Sequence, residues 1–243
     1  MSSAINRGRR RFCGVCSSSA AALVAGLPRS VDSATATPMI RYTRTRLVRP
    51  KSLPLHTTDL EIGVNYIFLY PFRSTPCFLL DLGRPLTDSV ELTTREDMTY
   101  VWRGGVGPNR SIVAFSAICS HRMNHPAPEV SFISYHGPGH HEPTDRGVIH
   151  CCSEDSIYDP AQGARVLSGP APEPLAAIDL EWDAQTDTLY AIGATGGTLF
   201  DRFLTKFAFR LAMDYGSRKY RLPVAERSVV RTLETFSHST IVC

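Results

Sequence analysis

HCCSEDSIYDP, residues 150–160, decides how the chain is read. Cys151 and Cys152 form an adjacent thiol pair. Glu154 follows where an imidazole would be sought, and Ser156, Tyr158 and Asp159 come next. Thiolate sulfur and carboxylate oxygen are both transition-metal donors, so the stretch looks like half of a metal site with one ligand exchanged. The other half is sought in AICSHRMNHP, residues 117–126, where Cys119 and His121 put a thiol and an imidazole two positions apart. A C-x-H pair alone is a weak signal, because histidine is also a common core or surface residue.

The surroundings are rich in short extended patterns. IRYTRTRLV (40–48) alternates, while GVNYIFLYPF (63–72) and PCFLLDL (76–82) are apolar runs bounded by Pro, Asp and Gly. MTYVWRGGVGPNRSIVAFSAI (98–118) places two such runs around a glycine-rich turn, which predicts a hairpin. ARVLSG, AAIDLEWD and TLYAIG add three more after the metal-type stretch, with DAQTD as the turn between the last two. Strands at this interval predict an all-β fold, a small antiparallel sandwich or barrel.

From Ser116 through Leu180 the chain resembles the Rieske iron–sulfur family. CSH, SIYDP, GARVLSGPAPEPL and AIDLEW fall in the family's order, and the last three resemble its high-potential branch, typified by iron–sulfur subunits of cytochrome bc complexes and arsenite oxidase. The resemblance is close over about 65 residues and loose from residue 61. It implies a Rieske-like sandwich with two loops that hold a 2Fe–2S cluster. On that alignment the metal ligands are Cys119, His121, Cys151 and Glu154, and Glu154 stands in place of the family's second histidine. Ser156 and Tyr158 match hydroxyls that donate to cluster sulfide and to a ligand cysteine, bonds that raise the potential. The positions of the bc-type disulfide clip are here Asn124 and Ser153. The spacing between the loops is longer than usual, with SYHGPGHHEPTDRG (134–147) as the extra segment.

Several alternatives stand beside Glu154. His136, His140 and His141 lie in the extra segment, and His125 and His150 lie close to the ligand cysteines. Cys152 is a soft donor, although adjacency to Cys151 makes joint ligation awkward. A cluster-free sandwich that uses the loops for packing, and zinc binding by the same residues, are further readings.

Residues 1–36 read as an export signal. Arg9, Arg10 and Arg11 precede Phe12, a small-residue apolar segment follows, and Ala34-Thr35-Ala36 offers cleavage. Consecutive arginines before Phe resemble the twin-arginine type, which implies a periplasmic location. Cys13 and Cys16 fall inside this segment. Without it the chain carries 21 basic and 22 acidic residues, so nucleic acid is not implied. Residues 37–197 form the Rieske-like domain. Its odd cysteine count, Cys77, Cys119, Cys151, Cys152 and Cys243 with the tail included, does not read as a disulfide framework.

Residues 198–243 form a C-terminal extension. Leu199, Phe200, Phe203, Leu204, Phe207 and Leu211 recur at helical spacing, and residues 221–243 read as a weaker helical or extended piece. With eight basic and four acidic residues, this part reads either as a helix packed on the β domain or as an arm docking on a partner subunit or an anionic membrane surface. The one histidine after residue 197 is His238, so the second iron site of a Rieske oxygenase is not expected. The expected activity is one-electron transfer within a redox complex, to a c-type cytochrome or a larger oxidoreductase subunit, rather than autonomous catalysis.

Overall fold

The computed structural model describes residues 39–139 and 146–243. The export-type segment, with Cys13 and Cys16, and the loop histidines His140 and His141 lie outside the described residues.

In chain order the strands before the first site loop are β1 (Ile40–Arg49), β2 (Leu53–Pro54), β3 (Tyr66–Leu69), β4 (Pro76–Asp81), β5 (Val90–Thr93), β6 (Thr99–Trp102) and β7 (Ile112–Ser116). Then come β8 (Ile133–His136), β9 (Val148–Cys151), β10 (Ser156–Asp159), β11 (Arg165–Ser168), β12 (Ala177–Asp183) and β13 (Thr188–Thr195). The last part holds α1 (Leu199–Lys206), α2 (Ala208–Tyr215), β14 (Arg227–Val229), β15 (Arg231–Thr232) and α3 (Leu233–Phe236). The fold is all-β: a curled sheet in the order β14-β1-β13-β12-β7-β4-β3-β15 with β2 beside β1, a four-stranded sheet β11-β10-β9-β8, and the pair β5-β6. Pairing is antiparallel except where β14 runs parallel to β1.

The apolar run of β4 follows from its position in the middle of the large sheet. Successive side chains point to opposite faces. Cys77 and Leu79 therefore enter one core, with Phe68, Ala114 and Ala191, while Phe78 and Leu80 enter the other, with Phe115, Ile133 and Ile149. The first core is closed by α1 and α2 through Leu199, Phe200, Phe203, Leu204 and Leu211. The second lies between the large sheet and the β8–β11 sheet, and it contains Cys119, Cys151 and Tyr158. Each strand buried on both faces thus links the helical layer to the sheet that carries the metal-type stretch.

One expected hairpin is replaced. β6 pairs with β5, not with β7, and β7 lies between β4 and β12. The glycine-rich turn works as a crossover between sheets. Gly104 has φ +85° and sits where a Cβ would lie 2.1 Å from the Leu86 carbonyl oxygen, and Gly105 N–H donates to that same oxygen. The chain is therefore pinned to the 86–88 loop instead of folding back on β6.

The helical stripe forms two short helices that pack their aromatic face on the sheet, and the chain then becomes extended. β14 adds to β1 and β15 adds to β3, so most of residues 221–243 is part of the sheet or hydrogen-bonded to neighbouring loops. This segment is woven into the fold by backbone pairing.

Candidate metal centre

The first site loop leaves β7 and folds into a closed tip. Cys119 N–H donates to the Asn124 carbonyl at 2.9 Å and Met123 N–H to the Cys119 carbonyl at 2.9 Å, with Met123 at φ +67°. The second loop is the tip of the β9–β10 hairpin. Cys151 pairs with Ser156 across the ladder, so residues 152–155 form the turn, with Asp155 at φ +57°. Gly169 closes over it from the Pro-rich stretch, where a Cβ would come 2.1 Å from the Asp155 carbonyl oxygen.

These two tips meet. The Cys119 and Cys151 thiols, both fully buried, lie close enough to shift each other's titration. That proximity is the largest influence holding the Cys119 thiol below its ordinary range, helped by the Tyr158 hydroxyl and the His121 and Arg122 backbone amides. The same proximity, together with burial, pushes Cys151 up, because two adjacent sulfurs resist a double charge. His121 Nδ1 lies 4.0 Å from Glu154 Oε2, and Arg122 Nη1 lies 3.1 Å from Glu154 Oε1. Cys119 and Cys151 thus neighbour each other, and His121 and Glu154 form a second pair across the same two loops.

The hydroxyls fall where sulfur needs donors. Tyr158 Oη lies 3.3 Å from Cys119 Sγ and accepts from Ser120 N–H at 3.2 Å. Burial and the neighbouring Cys119 charge raise the Tyr158 pKa, so the phenol keeps its proton. Ser120 Oγ donates to the Glu173 carbonyl at 2.6 Å and cannot give the same proton to Tyr158. Ser156 Oγ and His121 Nδ1 are buried without a hydrogen-bond partner. A buried polar atom without a partner is costly, so two such atoms near the two thiols point to a group that would satisfy them. The donor set of two thiolates, an imidazole nitrogen and a carboxylate fits an iron–sulfur cluster by this test.

Among the described residues the alternative ligands have other partners. His150 alternates with Cys151 along β9, and its Nε2 lies 2.7 Å from Asp155 Oδ1. His136 Nε2 bonds Ser134 Oγ at 3.1 Å. His125 Nδ1 bonds the Met123 carbonyl at 2.9 Å, and its ring packs edge-on against Phe203 and Phe207. Cys152 is not a free thiol but is disulfide-bonded to Cys243, with Cα atoms 5.6 Å apart. This corrects the expectation drawn from the odd cysteine count. Of the five cysteines among the described residues, three stay reduced and buried, and the other two pair across 91 positions that no local spacing reveals. His150, Cys152 and Cys243 lie within 4.8 Å of one another, but sulfurs spent in a disulfide offer no thiolate to a metal.

Three contributors were not legible in advance. Arg122 pairs with Glu154, Ser120 links Tyr158 to the Pro-rich stretch, and buried Glu173 joins that stretch to α1 through an ion pair with Arg202. Arg122 is adjacent to the C-x-H pair, which is the only signal that could have marked it.

An all-β fold with two thiols, an imidazole and a carboxylate at the tips of two facing loops defines a candidate metal-binding β domain. No family model matches the chain. The chain is similar to the crystal structure of the soluble domain of the Rieske protein II (soxF) from Sulfolobus acidocaldarius, with 27% identity over 65% of this chain and 82% of that one and a TM-score of 0.45.

Proposed function

We propose that this protein is a Rieske-type electron-transfer protein whose 2Fe–2S cluster is held by Cys119 and His121 from the first loop and Cys151 and Glu154 from the second. The observation that carries the reading is the meeting of the two tips, with His121 Nδ1 and Ser156 Oγ buried without a hydrogen-bond partner near the two thiols. When bound, the cluster supplies a one-electron couple. The chain's own residues do the rest. Tyr158 directs its proton to Cys119 Sγ, Ser156 offers a second donor, and the surrounding core excludes water from both cysteines. His121, about one quarter exposed, provides the edge at which an acceptor such as a c-type cytochrome or a larger oxidoreductase subunit approaches.

The negative charge of Glu154 favours the ferric state, so the potential lies below that of a site with two neutral imidazoles. An export-type N-terminus and a disulfide both support an oxidising compartment, the periplasm for a twin-arginine substrate. Among the described residues no helix is long and apolar enough to cross a membrane.

One observation favours a second reading, a cluster-free accessory subunit. Glu154 is already paired with Arg122 at 3.1 Å, which satisfies the carboxylate without iron. Iron and acid-labile sulfide quantitation with EPR of the reduced protein decides between the two. Two irons and two sulfides per chain, with a g-average near or below 2, support the carrier. A colourless protein free of both supports the accessory subunit.

A further inference from the structure

The last seven residues connect both site loops without belonging to either. Ser237 Oγ donates to the Ala127 carbonyl at 2.7 Å and His238 N–H to the Pro128 carbonyl at 2.8 Å. Ser131 N–H then donates to the Ser239 carbonyl and Ile241 N–H to the Ser131 carbonyl, both at 2.8 Å, in a short parallel bridge of Ser131 with Thr240. Residues 127–131 are the return limb of the first loop. Two residues beyond Ile241, Cys243 is bonded to Cys152, the first residue of the second loop's turn. Cys152 N–H also donates to the Phe132 carbonyl at 2.7 Å. Among the described residues no disulfide joins the two loop tips directly, because Cys119 and Cys151 are free thiols.

We propose that residues 237–243 are a positioning strap for the site, with the Cys152–Cys243 disulfide as its clasp. Four hydrogen bonds fix the tail to the first loop's return limb, and one covalent bond fixes it to the second loop. The register between Cys119 and Cys151 is then set through the C-terminus. A contact that spans both loops reduces their independent opening, since each can move only if the tail moves with it. The strap deepens the iron–sulfur reading and rests on it for its purpose, while its mechanical part stands on the contacts alone.

The test uses the full chain and two variants that cut the strap at opposite ends. Cys243→Ser opens the clasp on the second loop, and Ile241→Pro removes the N–H donated to Ser131 on the first-loop side. Hydrogen exchange is read at the Cys119 and Met123 amides of the first loop and at Glu154 of the second, with Leu79 in β4 as reference. The strap requires each variant to speed exchange by about tenfold at both loops, including the loop whose own contact was left intact, with Leu79 unchanged. Faster exchange confined to the tail or to the loop directly cut overturns it, as does non-reducing peptide mapping that finds no peptide linking Cys152 and Cys243. Iron release to a chelator is followed in parallel and should also be about tenfold faster in both variants. A protein that binds no iron defeats the cluster reading but leaves the exchange result to decide the strap.

Discussion

Removing the Tyr158 hydroxyl tests the site at its most constrained atom. That oxygen is fully buried and accepts from Ser120 N–H, and its single proton has two neighbours, Ser120 Oγ at 3.2 Å and Cys119 Sγ at 3.3 Å. The sulfur has the stronger claim. Its pKa is depressed, so it carries charge, and a hydrogen bond to a charged acceptor contributes about 1.5–3 kcal/mol, against about 1 kcal/mol for a neutral one. Tyr158→Phe therefore has two measurable effects. It leaves a buried N–H without an acceptor, at a cost of about 1–3 kcal/mol in unfolding free energy. It also withdraws a donor whose bond strengthens as the sulfur becomes more electron-rich on reduction. If about 1 kcal/mol of that bond is gained on reduction, the midpoint potential falls by about 40 mV. The assays are urea unfolding and a spectroscopically followed redox titration of the wild type and the variant. A potential unchanged within error, or raised, refutes the assignment of the phenolic proton to Cys119. Unchanged stability refutes the accounting for Ser120.

The remaining predictions concern other groups. Glu154→His replaces a carboxylate by a neutral imidazole and should raise the potential and add a second titrating histidine, while Glu154→Ala should lower the iron content. Equal potentials and pH profiles in the wild type and Glu154→His contradict carboxylate ligation. Burial lowers the His125 pKa from the ordinary 6.5, so the folded state disfavours the imidazolium. Its contribution is full above pH 6.5 and is progressively lost as pH falls from 6.5 toward the folded value, because the unfolded chain then binds more protons. His125→Asn should therefore lose less stability than wild type between pH 7.5 and 5.5 in urea unfolding, and equal losses would refute this. Arg202→Met leaves the buried Glu173 carboxylate unpaired and should destabilise by about 3–5 kcal/mol, with partial recovery in the Glu173→Gln double variant. No recovery would mean that Arg202 acts through packing alone.

The strands could be read from the chain because their burial is written in local alternation. β4 and β7 are apolar at every position but the last since both faces of the large sheet are covered, and β12–β13 declares itself through a polar turn. The aromatic stripe of α1 was legible for the same reason, a period that matches the helix. The pairing of β6 was not. Two apolar runs around Gly104 and Gly105 satisfy a hairpin pattern equally well when the glycines let the chain cross between sheets, and the choice is made by the Leu86 carbonyl, far from any local signal. The strands after residue 221 were equally hidden, because β14 and β15 are two or three residues long and exist only by adding to edges laid down by β1 and β3.

The site divides along the same line. Cys119, His121, Cys151 and Glu154 could be proposed because each pair of donors is short-range in sequence, and the fold had only to bring two tips together. What holds those tips in place is long-range: Cys152 to Cys243 across 91 positions, Ser237 to Ala127, and Glu173 to Arg202. The same division explains why Cys152 was weighed as a ligand. Adjacent to Cys151 in sequence, it is the first residue of the turn, and its sulfur lies with His150 and Cys243 rather than with Cys119. One sulfur of the CC pair lies in the core beside Cys119 and the other lies outside that core, where the tail reaches it. One dipeptide can thus serve both the chemistry of the site and its anchorage.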